Sequence, residues 1–392
     1  MRATGPDRHR RATTPGIAAR ALVLGLAAVL AGPSGASAEL VVDGRGWGHG
    51  VGLSQYGAYG FALREGRDHR SILAHYYAGS GYDSAPATRV RVRLKRARAP
   101  RLSGATRARA ADRRRIRLRS NRAYRFEALG SNRVRVIDLV SGRTRARLVA
   151  PVNVTGGSST VLHGPAENGV NGGRYRGLMV LSRDRGAVLA VNHAWLEHYL
   201  YGVVPAEMPA SWPTEALRAQ AVVARSYALA SLRPGEPYDV FADVRSQVYR
   251  GALGEVDATN DAVRATNARV VTAGGRVAQT FFFSTSGGRT ATNEEAFGGT
   301  PLSYLRSVDD PHDDLSEYHT WTARFTRRGA ERRLRSVLSG RLRGLAVASR
   351  TPSGRAATVE VRGSRRNRVV GSGTIQLLLG LRSTWITGVS GP

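Results

Sequence analysis

The chain has 392 residues, a formal net charge of +30 and no cysteine. Lacking cysteine, it can form no disulfide, thiolate metal site or cysteine nucleophile, and its 42% hydrophobic content is that of a folded protein rather than a disordered polycation. Lys95 is the sole lysine among 59 basic residues, so the charge is carried almost wholly by arginine, and a charge of this size attracts polyanions.

In chain order, Arg2, Arg8, Arg10 and Arg11 make a basic start, residues 17–31 an apolar run, and Ala36-Ser37-Ala38 a small-x-small site. This is the layout of a secretory signal peptide over residues 1–38, cleaved before Glu39, with an uncleaved anchor as the alternative. The apolar run is short for a membrane span. Residues 1–38 hold five Arg and one Asp, so their removal leaves a net charge of +26. An exported chain meets the anionic polymers of a cell wall before any other polyanion.

Residues 39–82 begin with a short strand at 40–42 and a run of alternating glycines, Gly44, Gly46, Gly48, Gly50 and Gly52, with His49 between two of them. No Gly-Lys-Ser/Thr follows, so this is not a phosphate loop. Helices are expected at 53–63 and 70–78. Residues 88–96 alternate Val or Leu with basic residues and read as a strand with one buried face. The Arg-rich stretch 97–120 is expected to contain loop. Short strands follow at 133–140, 177–182 and 187–194, separated by Gly, Asn and Ser turns. Residues 83–119 contain no aromatic side chain, which argues against a nucleic-acid-binding platform there.

The stretch 199–229, YLYGVVPAEMPASWPTEALRAQAVVARSYAL, carries a single prominent carboxylate, Glu207, in a loop flanked by Pro205, Pro209 and Pro213. A helix follows, with Ala216, Leu217, Gln220, Ala221, Ala224 and Tyr227 on one face and Pro213 at its start. Beside Met208 and Trp212 the Glu207 carboxyl is expected to be partly desolvated, with its pKa raised as a general acid requires. The competing reading is a cap or an arginine partner. Glu215 reads as a first-turn charge favoured by the helix dipole.

Further on, a helix is expected at 257–266, strands at 269–272 and 281–283, and a hydroxyl-rich turn at 284–290. A serine nucleophile in that turn would need a base and an orienting acid within reach. Glu294 and Glu295 are the candidates for a second carboxylate, and His312 with Asp313 reads as either structural or groove-lining. A helix at 328–342 and strands at 345–350 and 356–363 end the chain. Histidine and carboxylate spacing supports no metal site.

The 199–229 string resembles the signature of the stage II sporulation protein D (SpoIID/LytB, amidase-enhancer) family. So do GWGHGVGLSQYGA at 46–58, the SQVY-G core within 239–251, the F-STSGG-T block at 283–290 and the ending 378–386. In the sporulation relatives the GWGHG motif follows the glutamate; here it precedes it, so residues 39–82 form a permuted segment ahead of a core at 83–392. The resemblance implies an α+β fold, a β-rich scaffold with the helix after Glu207 packed on it. It implies Glu207 as the catalytic acid of a lytic transglycosylase acting on peptidoglycan glycan strands. His49, Gln55, Tyr56, Gln247, Tyr249, Ser286 and Thr290 are then candidate groove residues. Some sporulation relatives bind zinc near the SQVY core through a cysteine and a histidine; here Arg245 and Ser246 stand nearby and cysteine is absent, so no metal and no cofactor is expected. The alternative implied by the family is a non-catalytic wall protein that binds glycan and stimulates a cell-wall amidase. Specific nucleic-acid recognition is not expected.

Overall fold

The computed structural model describes residues 39–391, and the expected signal peptide lies outside the described residues. The fold is β-rich α+β. Its largest element is an eleven-stranded sheet whose main path runs Val240–Phe241, Arg89–Ala97, Ala187–Trp195, Leu178–Asp184, Val152–Pro165, Arg101–Arg109, Tyr124–Leu129, Arg133–Asp138 and Thr144–Val149. Asn171–Tyr175 and Arg115–Arg117 pair off this path. All neighbours are antiparallel except Val240–Phe241.

The alternation in Arg89–Ala97 does what it predicts: Val90, Val92 and Leu94 are buried while the arginines between them face outward. Two helices cover the buried face. The first described helices are α1 (Gln55–Glu65) and α2 (His69–Tyr76); α3 (Leu196–Glu207) follows Trp195 directly, and α4 (Thr214–Ala230) comes after Pro213. Leu200, Val203 and Val204 of α3 join Ala221, Ala224 and Ala228 of α4 in one core with the sheet. Ala216, Leu217, Ala219, Val222 and Val223 of α4 enter a second core with Phe61, Ile72, Tyr76 and Tyr77 of α1, α2 and the segment after them. A helix buried on two sides needs small residues, which is why α4 is rich in alanine and valine. A third core joins Leu40 and Val42 to Trp321, Leu334, Val359, Val361 and Ile375.

The structure departs from the sequence reading in several places. Glu207 is not in a loop: it is the last residue of α3, and Pro205 lies inside that helix. The buried series Leu196, Tyr199, Leu200, Val203 and Val204 drives the helix through, and a proline in the final turn removes a single hydrogen bond there. The Arg-rich stretch expected to contain loop also carries strands Arg101–Arg109 and Arg115–Arg117; their inward residues, Leu102, Ala105 and Ala108, are mostly too small to announce a period. Gly104 interrupts that period with a left-handed φ of 74°. The helix expected at 328–342 stops at Leu334.

Residues 39–54 are interleaved with the C-terminal half. Strand Glu39–Arg45 lies between Thr320–Thr326 and Ile386–Ser390. Trp47 bridges Thr285, Val51 bridges Ala291, and Leu53–Ser54 pairs in parallel with Phe282–Phe283. The glycines permit this close approach. At Gly52 (φ 76°) an added Cβ would lie 2.1 Å from the Phe281 carbonyl oxygen, and at Gly46 (φ 72°) 2.6 Å from that of Thr285.

Candidate active site around Glu207

The stitching of residues 46–54 onto 281–291 has a consequence for Glu207. A cleft of about 470 Å³ opens where the C-terminal end of α3 meets the glycine loop, and Glu207 shares its lining with His49, Gln55, Tyr227, Ser246 and Phe281–Phe283. A volume of this size lies in the range of small-ligand clefts. Glu207 is the one carboxylate that lines the cleft among the described residues. Glu215 is held elsewhere, accepting from the backbone N–H of His69 (2.8 Å) and pairing with Arg218. Glu295 accepts the backbone N–H of Ser353.

Glu207 is half-buried: it opens onto the cleft, with protein on its other sides. Burial pushes its carboxyl up to about 7, partly opposed by the backbone N–H of Val248 and by the charge of Arg250. The Val248 N–H donates to Oε1 at 2.7 Å. Gln55 ties the two motifs together, its Nε2 donating to the Glu207 carbonyl oxygen (3.0 Å) and to Gln220 Oε1 (3.4 Å).

His49 sits in an aromatic cage, its ring 5.4 Å from Phe283, 5.1 Å from Phe297 and 6.0 Å from Phe281. Burial lowers its pKa to about 4, so the imidazole is neutral near pH 7. Nδ1 accepts the Val51 N–H at 3.1 Å, which leaves the proton of the neutral ring on Nε2. This histidine fixes the wall of the cleft and has no free basic nitrogen to offer.

The other expected groove residues fall in different places. Tyr56 is half-buried beside the cleft, edge-on to Trp212 at 4.9 Å, and Trp212 stacks on Tyr59 at 4.7 Å. Gln247, Tyr249, Ser286 and Thr290 do not reach the cleft; all four are buried. Gln247 bonds Tyr199 and the Ala224 carbonyl, Tyr249 donates to Asn192, and Thr290 bonds the Arg306 carbonyl. Their polar groups are consumed in holding the 244–248 and 284–290 segments in place.

Ser286 also answers the serine-nucleophile question. Its hydroxyl donates to Asp313 Oδ2 at 2.9 Å, and Asp313 Oδ1 meets His319 Nδ1 at 2.8 Å. The carboxylate stands between serine and imidazole, so no base contacts the hydroxyl, and the arrangement is structural. His312 likewise packs on Phe61 and pairs with Glu65. Sequence reasoning missed Trp47, Phe297 and the Val248 amide. The apolar Phe281–Phe283 run was legible but read as core, whereas Phe281 and Phe282 are only half-buried at the cleft. Among the described residues no three His, Asp or Glu side chains converge to hold a metal ion.

The Stage II sporulation protein family model (SpoIID) matches residues 184–272, a span that holds α3, α4 and Glu207 but not the glycine loop. Stage II sporulation protein D of Bacillus subtilis (strain 168) is 29% identical over 196 residues, 46% of this chain and 57% of that protein. Its namesake from Bacillus amyloliquefaciens is 31% identical over 211 residues, 50% of this chain and 60% of that protein. The amidase enhancer of Bacillus subtilis (strain 168) is 38% identical over 114 residues, 29% of this chain and 15% of that protein. The chain therefore spans less than two thirds of each of these relatives. The matched span holds the helix that ends at Glu207, and with relatives named stage II sporulation protein D and amidase enhancer the chain is similar to the SpoIID/LytB family over that part.

Proposed function

We propose that the protein is a cell-wall lytic transglycosylase that cleaves peptidoglycan glycan strands with Glu207 as its acid and base. The observation that carries this reading is a single cleft carboxyl poised near neutrality, at about 7, with no second carboxylate lining the same cleft among the described residues. Hydrolysis normally uses two carboxyl groups, one as acid and one as base or nucleophile. A transglycosylase needs only one. The protonated carboxyl delivers its proton to the glycosidic oxygen as the bond from that oxygen to the muramyl C1 breaks. The resulting carboxylate then takes the proton of the 6-hydroxyl on the same muramyl residue, while O6 bonds to C1. The products are a new 4-hydroxyl end and a 1,6-anhydro end; no water is consumed and Glu207 regains its proton.

Val248 suits this role by engaging Oε1 from the backbone and leaving Oε2 without a hydrogen-bond partner among the described residues. A group with a pKa near the working pH serves equally well as acid and as base. The aromatic walls supplied by Phe281, Phe282 and Trp47 suit the apolar faces of sugar rings. Export to the wall is part of the proposal and rests on the sequence of residues 1–38. Among the described residues no helix is long and apolar enough to cross a membrane.

The similarity to an amidase enhancer motivates a second reading, a glycan-holding protein that stimulates a wall amidase without cleaving the strand itself. One assay separates the two. The protein and its Glu207→Gln variant are incubated with purified glycan strands, with and without stem peptides, and the products are read by mass spectrometry. Anhydromuramyl ends from the wild type alone support the transglycosylase. Reducing ends identify a hydrolase, and an intact strand bound by folded protein transfers the case to the amidase modifier.

A further inference from the structure

The outer face of the large sheet carries a basic groove that the Glu207 chemistry does not use. It measures about 490 Å³ and is lined by Arg89, Arg107, Arg109, Arg115, His193 and Trp195, with the backbone of Gly156 and Gly157 at one side and no carboxylate in its lining. Strand register explains the clustering. Arg107 and Arg109 are two apart on one strand and so share a face, and Arg109 lies directly opposite Arg115. Thr155 and Asn153 continue these rows on the next strand, and Leu178 and His193 continue the first of them toward Trp195.

Unpaired arginines and arginines facing each other across strands both occur elsewhere on this chain, but at Arg101–Arg125 and Arg135–Arg147 one partner is paired with Glu127, so it is the combination of two observations that sets this groove apart. The first is pairing. On the same outer face Arg91 is bound to Asp239 and Arg93 to Glu167, whereas Arg89, Arg107, Arg109 and Arg115 form no ion pair with any described carboxylate. The second is register. Arg109 opposes Arg115 and Arg107 opposes Arg117, and like charges directly opposite each other destabilise a sheet. A cross-strand pattern that costs stability and has no internal counter-charge calls for an external anion.

We propose that this groove binds a chain of phosphodiester groups, such as a polyol-phosphate polymer. Guanidinium presents a planar fork that matches phosphate oxygens in pairs. The arginines are set at strand spacing, about 5 Å across the sheet and about 7 Å along it, so a repeating anion can meet several at once. Nucleic acid fits less well. Trp195 is 45% exposed and is the groove's single Phe, Tyr or Trp ring, and the Arg89 guanidinium lies 4.5 Å over it, so this indole is no free stacking platform for a base. Trp195 also immediately precedes α3, whose other end is Glu207. Twelve residues of helix place the groove about 18 Å along the helix axis from the cleft. The proposal stands independently of the glycan-cleavage reading, since it concerns binding alone.

The test is binding of a synthetic glycerol-phosphate oligomer to the full chain, followed by fluorescence anisotropy across a salt series. The variant Arg107→Gln/Arg109→Gln is compared with Arg332→Gln/Arg335→Gln, which removes the same charge from exposed positions elsewhere. The groove variant should bind on the order of tenfold more weakly than the control variant, and the slope of log K against log salt should fall by about 1.4. Thermal melts of both variants confirm that the fold is intact. Equal affinities for the two variants would overturn the site, showing attraction by net charge alone. Tighter binding of single-stranded DNA with the same number of phosphates would overturn the polyol-phosphate assignment in favour of nucleic acid.

Discussion

The main-chain N–H of Val248 donates to Oε1 of Glu207 at 2.7 Å, across 41 residues of sequence. One carboxyl oxygen is thereby committed to the protein, and the other has no hydrogen-bond partner among the described residues. Glu207→Gln preserves the acceptor for Val248 but carries no acidic proton. Turnover of glycan strands should fall by about 10²–10⁴-fold, the usual contribution of a general acid, with strand binding retained. Product analysis together with a binding measurement on the same variant checks this; unchanged turnover would remove Glu207 from the chemistry.

The raised carboxyl also fixes a pH dependence. In the proposed mechanism cleavage starts from protonated Glu207, so the rate should decline on the alkaline side with a midpoint near 7. The stability effect has the same origin. Between about 4.5, the ordinary value, and about 7 the folded state holds a proton that the unfolded chain releases, so this group makes stability fall as pH rises through that window. The buried Asp310, raised to about 6, acts in the same sense. Glu207→Gln should therefore be more stable than wild type by about 2–3 kcal/mol near pH 8 and nearly equal to it near pH 4. Urea titrations at the two pH values measure the difference.

Gln55 supplies a side-chain link between the glycine-loop motif and the glutamate helix. Gln55→Ala removes its bonds to the Glu207 carbonyl and to Gln220, whose own Nε2 already lacks a partner. A loss of about 1–2 kcal/mol is expected, with a further reduction in turnover because the end of α3 is no longer held. A variant that melts earlier yet cleaves at the wild-type rate would assign Gln55 a purely structural role.

Two glycines of α1 and its cap should behave differently. A Cβ on Gly57 would lie 2.0 Å from both Asp310 Oδ1 and Tyr76 Oη, two groups that hydrogen-bond to each other in the core. Gly57→Ala should destabilise by about 3 kcal/mol or more. Gly66, the left-handed cap at φ 63°, faces open space, so Gly66→Ala should cost only about 1 kcal/mol from backbone strain. Thermal or urea denaturation of the pair would rank them, and equal losses would contradict the packing seen around Gly57.

Arg225 is fully buried on α4 and donates to both oxygens of Glu197, at 2.8 and 2.6 Å, and to the carbonyls of Val263 and Arg269. Arg225→Ala strands those acceptors and should cost about 3–5 kcal/mol. Arg225→Lys should recover only part of the loss, since an ammonium cannot reproduce the planar fork. Denaturation of the two variants, with equal stabilities as the contrary result, tests whether the bidentate geometry matters.

Much of this was legible beforehand because the relevant physics is local. Alternation in residues 88–96 marked a strand, the one-face pattern of 216–227 marked a helix, and the isolated Glu207 beside Met208 marked a raised carboxyl. The misreadings share a cause. Pro205 suggested a loop because its local preference is strong, yet the burial of Leu200, Val203 and Val204 carries α3 through it. Ser286, Thr290, Gln247 and Tyr249 became groove candidates through the motif resemblance alone; here each is buried and bonds to a partner distant in sequence.

The sequence by itself determined most element types, the single candidate acid and the family resemblance, since periodicity, capping and motif strings are properties of neighbouring residues. Tertiary structure decided which of those strings share a site. His49 and Gln55 reach Glu207 only because residues 46–54 pair with 281–291, and the arginines of the outer groove converge only through the register of strands. Both depend on contacts between segments far apart in the chain, which no local pattern encodes.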